Sequence, residues 1–190
     1  MGVPNYKSLA EIPDQVDYAV IAVPRRVVPF VLKDVIAAGI KTVHMFTSGF
    51  SETAEEEGIE LEATVKQMAE DAGLLIIGPN CMGVFNADNG MRFMRTQDID
   101  VSGSVAVIAQ SGGHASSLTT AGQQAGVGIH TTISFGNGII LDSPDLLEYF
   151  ADDPKTKLIC AYIEGPKDGK RFFEKLKYAA SRKPVVIWKG

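Results

Sequence analysis

Several things are scarce in this sequence, and each shortage removes a class of function. Cysteine occurs twice, at Cys81 and Cys160, without any C-x-x-C spacing. A disulfide framework and a zinc site are therefore not expected, and a reducing cytoplasmic location is. Basic residues are outnumbered, 18 Lys and Arg against 23 Asp and Glu for a formal charge of −5, so no basic stripe is available to displace counterions from nucleic acid. Long apolar runs are missing as well. Stretches such as Val105 to Ala109 and Leu74 to Ile77 are strand-sized, far short of the roughly 20 residues that cross a bilayer. Met1 to Ala10 has neither the charged start nor the apolar centre of a signal peptide. The three histidines, His44, His114 and His130, share no ligand spacing with one another or with the cysteines, and no metal is assigned. No internal repeat and no low-complexity tract interrupts the chain.

What remains is the composition of a globular protein with a real core: 190 residues, 45% hydrophobic and 22% charged. Strand and helix patterns alternate along it, in two runs. In the first, the apolar stretch Tyr18 to Val23 is ended by Pro24, as a parallel strand buried on both faces would be. Val28, Val31, Leu32 and Val35 follow at helical spacing with Gly39 as the stop. A strand over Thr42 to Phe46 leads into Thr47-Ser48-Gly49-Phe50, and a helix from about Thr53 to Ala72 carries the inner stripe Leu61, Val65, Met68, Ala69 and Ala72. The acidic run Glu52 to Glu60 at its start suits the helix dipole and a solvated face. A third strand, Leu74 to Ile77, stops at Gly78-Pro79-Asn80-Cys81-Met82-Gly83.

Residues 87 to 103 lose the rhythm, which places a domain junction near Asp98 to Gly103. Beyond it, strands are expected at Ser104 to Ala109, Ile129 to Phe135, Lys157 to Ile163 and Val185 to Trp188, with helices at Gly113 to Ala125, Pro144 to Ala151 and Asp168 to Ser181. Each strand is followed by a crossover long enough for a helix, so the expected fold class is α/β with two parallel-sheet domains. The first domain is expected to begin in its middle. A nucleotide-binding α/β unit starts with a strand, a Gly-rich turn and a helix, whereas the turn here is Val23-Pro24-Arg25-Arg26 and no strand pattern precedes Asp17.

Three places could carry chemistry. Gln110-Ser111-Gly112-Gly113-His114 joins a strand to a helix. As a nucleophile elbow it would need an acid and then a histidine downstream, and no histidine follows His130. As an anion cradle, Ser111, Gly112 and Gly113 would leave backbone N–H groups bare at a helix start; as plain structure they make a tight turn, and spacing alone leaves both readings open. Gly78 to Gly83 lies at the carboxyl end of a buried strand, the edge where open α/β sheets bind ligands. Cys81 within it reads as a reactive thiol or as a small buried residue. Glu164, followed by Gly165, ends another apolar strand, where a carboxylate can orient a catalytic partner or cap a loop.

Taken together and in order, Val23-Pro24, Ser48-Gly49-Phe50, Gly78-Pro79-Asn80-Cys81-Met82-Gly83, Gln110-Ser111-Gly112-Gly113, Phe135-Gly136-Asn137 and Tyr162-Ile163-Glu164-Gly165 resemble the NDP-forming acyl-CoA synthetases, a family that includes ADP-forming acetyl-CoA synthetase and is related to the succinyl-CoA synthetase alpha subunit. Asp145 to Phe150 and Lys183 to Val186 extend the likeness. The resemblance implies a CoA-binding Rossmann-like domain over 1–100, without its first βα unit, and a flavodoxin-like ligase domain over 101–190. It implies coupling of acyl-CoA, ADP and phosphate to acid, ATP and CoA through a phosphorylated histidine. Val23, Pro24, Ser48 and Gly49 would lie along CoA, with Asn80 and Cys81 near its thiol end. Ser111, Gly112 and Gly113 would hold the phosphohistidine phosphate, and Glu164 would hydrogen-bond the histidine ring and leave its other nitrogen nucleophilic. The histidine-bearing segment and the ATP-grasp part that binds ADP or ATP and Mg would be supplied by another domain or subunit; a homo-oligomer is left open. The rival reading is a non-catalytic CoA-binding or regulatory module of the same fold. An NAD-dependent oxidoreductase is disfavoured because no G-x-G-x-x-G follows any strand.

Overall fold

The computed structural model describes Gly2 and residues 4–190. The first unit runs β1 (Tyr18–Ile21), α1 (Val28–Ala37), β2 (Thr42–Met45), α2 (Glu56–Ala72) and β3 (Leu75–Ile77), and its three strands pair in parallel in that order. Successive crossovers of one hand, each moving one strand along, put both helices on the same face. Val28, Leu32 and Val35 of α1 and Val65 and Ala69 of α2 therefore share a core with Ile21, Val43, Met45 and Ile76 from the strands. The expected stripe on α2 is the one buried. The opposite face stays thinly covered, with Val20, Phe46 and Leu75 exposed by 57%, 47% and 45%.

The second unit runs β4 (Gly83–Asn86), β5 (Val105–Ala109), α3 (Gly112–Gln124), β6 (Ile129–Ser134), α4 (Ser143–Asp152), β7 (Leu158–Ile163), α5 (Gly169–Ala180) and β8 (Val185–Lys189). Its sheet has the order β4-β6-β5-β7-β8. Successive residues of β5 alternate between two cores: Ala106 and Ile108 face Leu147 and Phe150 of α4 and Ala179 of α5, while Val107 and Ala109 face the α3 side. Every residue of β6 is buried. The helix starts are well closed, α4 by an Asp142–Asp145 capping box and α5 by Asp168, whose carboxylate accepts the Arg171 N–H at 2.9 Å.

Two expectations need correction. The second sheet is mixed rather than parallel, because β4 pairs antiparallel with β6, Gly83 opposite Ser134 and Asn86 opposite Thr131. This four-residue strand lies ahead of the expected junction near Asp98 to Gly103, where the residue pattern assigns no element. Its pattern is too short to show a period, and only the tertiary pairing makes it a strand; Phe85, fully buried against Val107 and Ile129, fixes it there. The acidic run before α2 is also more than a solvated face. Glu55 and Glu57 pair with Arg25 (2.8 and 3.0 Å), Glu57 also pairs with Arg26 (2.6 Å), and the Glu52 carboxylate accepts the N–H groups of Gly49 and Phe50 at 2.5 and 3.1 Å.

The two units are joined by backbone as well as side chains. The outer edge of β3 receives the segment after β6: Ile139 donates its N–H to the Gly78 carbonyl and Leu141 to that of Ile76, both at 3.2 Å. Gly136, at φ +54°, passes so close to the Pro79–Asn80 turn that a Cβ there would lie 2.1 Å from the Pro79 carbonyl oxygen, which is why only glycine fits.

Candidate functional site

From β5 the chain moves one way to β6 and then back past β5 to β7. The helix after β5 thus covers one face and the helices after β6 and β7 the other. The loops at the carboxyl ends of these strands part in opposite directions and leave a crevice, the usual ligand position of an open α/β sheet. Gln110, Ser111, Gly112, Gly136, Asn137 and Glu164 line it, and Glu52 and Asn80 from the first unit close its other side, around a space of about 370 Å³. A second groove of about 270 Å³ adjoins it, lined by Phe46, Ser48, Asn80, Cys81, Met82, Gly112 and Gly113. Asn80 and Gly112 form the shared rim.

Ser111 is the N-cap of α3, and its hydroxyl accepts the His114 N–H at 3.3 Å. The N–H groups of Gly112 and Gly113 have no protein acceptor among the described residues, and they stand at the positive end of a 13-residue helix. A Cβ on Gly113 would meet nothing nearer than 3.9 Å, whereas one on Gly112 would lie 2.7 Å from Met82 Cγ. Bare donors, a helix dipole and an open approach suit an oxyanion. The Gln110 side chain holds the far wall, its carbonyl accepting the N–H groups of Glu164 and Gly165 at 2.9 and 3.2 Å. The exposed Glu164 carboxylate makes no ion pair among the described residues. Lys189 reaches only its backbone carbonyl, at 2.8 Å.

The expected site residues are divided by the fold. Ser48, Asn80, Gly112 and Gly113 meet in one groove, and Ser111, Gly112 and Glu164 in the crevice beside it. Val23, Pro24 and Gly49 line neither. The Val23 carbonyl accepts the Thr47 hydroxyl at 2.8 Å, the Pro24 carbonyl accepts the Val27 N–H at 2.8 Å and the Gly49 carbonyl accepts Arg25 at 2.7 Å, so these three shape the neighbouring turns. Cys81 reaches the groove with its thiol turned inward, toward the carbonyls of Ile77 and Met45 at 3.5 and 3.6 Å. Burial pushes that thiol up to about 12, which favours the small buried residue over the reactive thiol among the two readings of the sequence.

Sequence reasoning used Gln110, His114 and Asn137 only as parts of motifs and Glu52 only as part of an acidic run. The Asn137 amide N–H groups donate to Glu52 at 2.7 Å and Glu62 at 2.8 Å, clamping two carboxylates of the first unit to a loop of the second. Burial would raise the Glu52 carboxyl, but the Asn137 amide and the N–H groups of Gly49 and Phe50 outweigh it and hold it below its ordinary value. No sequence signal marks this clamp, since its partners are 75 and 85 residues apart. Among the described residues no cluster of three or more His, Cys, Asp or Glu is placed to hold a metal, and no helix is long and apolar enough to cross a membrane.

Comparison with known proteins bears on this arrangement directly. Residues 1–87 match the CoA binding domain family, and residues 102–190 match the succinyl-CoA ligase like flavodoxin domain. Over 189 residues and its whole length the chain is 40% identical to the alpha subunit of ADP-forming acetate–CoA ligase II from Pyrococcus furiosus. The chain belongs to the NDP-forming acyl-CoA synthetase family. A further relative, the ADP-forming acetate–CoA ligase I of Archaeoglobus fulgidus, is 35% identical over 190 residues. Among solved structures, the dinucleotide-forming acetyl-coenzyme A synthetase 1 of Ca. Korarchaeum cryptofilum, in complex with phosphate and ADP, superposes with a TM-score of 0.89 at 36% identity over all of this chain and 40% of that one. The chain spans 41% of the Pyrococcus subunit and 28% of the Archaeoglobus synthetase.

Proposed function

We propose that this chain is the CoA-binding and ligase portion of an NDP-forming acyl-CoA synthetase that interconverts acyl-CoA, ADP and phosphate with acid, ATP and CoA through a phosphohistidine. The observation that carries the reading is the shared rim: the Ser48–Asn80–Gly113 groove opens beside the Ser111–Glu164 crevice across Asn80 and Gly112. A thioester held in the first and a phosphate held in the second would be neighbours, which is what transfer between them requires. CoA supplies the thiol that carries the acyl group. The residues present fit such a pair of ligands, because Ser48 and Asn80 offer exposed polar groups along the groove and the bare N–H groups of Gly112 and Gly113 offer donors to an anion.

In this reading Ser111, Gly112 and Gly113 hold the phosphate or the phosphoryl group on the histidine. The Glu164 carboxylate, which pairs with no cation among the described residues, accepts the N–H of the incoming histidine ring and fixes the tautomer whose other nitrogen attacks phosphorus. Glu52 would repel an anion if it were bare; its engagement by Asn137 and two backbone N–H groups makes it tolerable in the wall. Val23, Pro24 and Gly49 act by shaping the turns beside CoA, and Cys81 by its backbone. The phosphorylated histidine, the ATP-grasp domain or subunit and the sites for ADP or ATP with Mg belong to parts beyond this chain, and the whole enzyme works in the cytoplasm.

The test is phosphohistidine formation from ATP in the full-length protein. Glu164→Gln keeps the shape and removes the charge, and it is expected to lower the phosphorylation rate by about 10- to 100-fold with an unchanged unfolding midpoint. Asn80→Ala is expected to raise the KM for CoA. Normal phosphohistidine levels in Glu164→Gln would reduce Glu164 to a loop residue. Failure of the unaltered protein to form any phosphohistidine would favour the non-catalytic module.

A further inference from the structure

The Ser111 hydroxyl has a second neighbour that the proposed reaction leaves unexplained. The ring Nδ1 of His114 lies 3.0 Å from Ser111 Oγ. The ring is held in that position by two aromatic side chains rather than by chance. It stacks on Tyr162, with centroids 4.0 Å apart and planes 8° from parallel, and meets the edge of Trp188 at 5.0 Å and 87°. Tyr162 and Trp188 are register partners on β7 and β8 and pack on each other at 5.2 Å, and Tyr162 is also the register partner of Ala109 on β5, two residues before Ser111. The sheet thus delivers a fixed imidazole to the one side chain of the Ser111–Gly113 cradle that can donate a hydrogen bond.

A serine hydroxyl has one proton and two acceptor lone pairs. One lone pair of Ser111 takes the His114 backbone N–H, which leaves a proton and a lone pair to be divided between Nδ1 and the crevice. If Nδ1 is bare, it accepts the hydroxyl proton, and the crevice is offered a lone pair that repels a phosphate oxygen. If Nδ1 carries a proton, it donates to the second lone pair, and the hydroxyl proton is free to be donated to the phosphate. We propose that His114 is a positioning residue which, by protonating or baring Nδ1, sets whether Ser111 offers the crevice a donor or a lone pair. This rests on the reading of Ser111 to Gly113 as a phosphate site, and it adds the group that controls the site's affinity. Binding and protonation are then linked in both directions: phosphate favours the Nδ1–H forms of His114, and those forms favour phosphate.

The surroundings agree with this role. Stacking on the Tyr162 face accommodates an imidazolium as readily as a neutral ring. No carboxylate forms an ion pair with His114 among the described residues. The titratable and charged groups on the elements packed around it are Cys160, the Tyr162 phenol and Glu164 from β7 and its end, Lys189 from β8, whose ammonium is directed to the Glu164 carbonyl, and Arg92 and Arg95 from the segment whose Phe93 packs with Tyr162.

The experiment measures the affinity of the full-length protein for inorganic phosphate from about pH 5.5 to 8.5, in the unaltered protein and in His114→Phe, Ser111→Ala and the double variant. Phenylalanine keeps the stack on Tyr162 and deletes Nδ1. Ionisation of phosphate itself contributes equally to all four, so their differences isolate the pair. The unaltered protein is expected to lose about tenfold more affinity toward alkaline pH than His114→Phe does, the worth of one hydrogen bond to a charged group. The extra pH dependence should vanish in Ser111→Ala, and His114→Phe should have no further effect once Ser111 is alanine. A nitrogen-15 spectrum of the histidines should show Nδ1 of His114 gaining a proton when phosphate is added. Parallel pH profiles for the unaltered protein and His114→Phe, with phosphate bound in both, would overturn the role of His114 and leave the phosphate site standing. Absence of phosphate binding in every protein, with CoA still bound, would remove the phosphate site and this proposal with it.

Discussion

The two sheets of this chain are built from similar strands and finished differently. The second has five strands, helices on both faces and a central strand pair buried on both sides. The first has three strands, both helices on one face, and an outer edge of β3 that is completed by residues 139 to 141 of the second unit. Ile139 even counts among the first unit's core residues. The comparison teaches that the stiff half supplies the walls and the edge against which the thinner half is positioned. The crevice between Asn80 and Ser111 has one side in each unit, so its two sides keep their spacing only while the units stay docked.

The comparison can be broken most severely at β4. Phe85→Ala empties a fully buried site in the second unit, and a loss of about 3–5 kcal/mol is expected; urea unfolding that shows under 1 kcal/mol would mean that β4 is an ornament rather than a strand of that sheet. Gly136→Ala comes next. Its Cβ would overlap the Pro79 and Asn80 carbonyls at a positive φ, so about 3 kcal/mol is expected, together with a split of the unfolding curve into two transitions as the units separate. Retention of one sharp transition with unchanged midpoint would argue that the contact is dispensable. Asn137→Ala leaves the Glu52 and Glu62 carboxylates beside each other without their shared donor, and a loss of about 1–3 kcal/mol at neutral pH is expected, partly recovered as the carboxylates are protonated in acid.

Acid sharpens the comparison in another way, because each unit buries one histidine of depressed pKa. Desolvation lowers His44 against the small opposing effect of its bond to the Cys81 carbonyl, and it lowers His130 against the attraction of Asp153. A group that is harder to protonate folded than unfolded contributes stability above its unfolded value, here 6.5, and loses it as the pH falls from there toward the folded value. Unfolding free energy is therefore expected to decline from pH 7 downward, with a further decline below the ordinary carboxyl range as Glu52 and Asp153, both held low, take up protons. A flat profile between about pH 7.5 and 5.5 would show that the imidazoles titrate freely. The smallest effect belongs to the thin face: Val20→Ala in the 190-residue chain should change stability by less than about 0.5 kcal/mol, whereas Ile108→Ala in the second sheet should cost about 2–5 kcal/mol. Equal losses at the two positions would erase the distinction between the sheets.

Much of this was legible in the residue order. Continuous apolar runs such as Val105 to Ala109 and stripes such as Val65 and Ala69 are local signals whose period declares strand or helix, and among the described residues they marked the α/β class, seven of the eight strands and all five α-helices. The motif turns after Ile77, Ala109 and Ile163 were placed at the carboxyl edge by the same logic. Local order could not say that Gly83 to Asn86 joins β6, Asn86 reaching Thr131 across 45 residues, that one amide on Asn137 holds Glu52 and Glu62, that the Cys81 thiol turns into the core, or that Tyr162 and Trp188 hold His114 against Ser111. Those facts depend on which distant surfaces meet, and on how water is excluded where they do. A period along the chain reports the burial of a face, but the partner that buries it is chosen only when the elements pack.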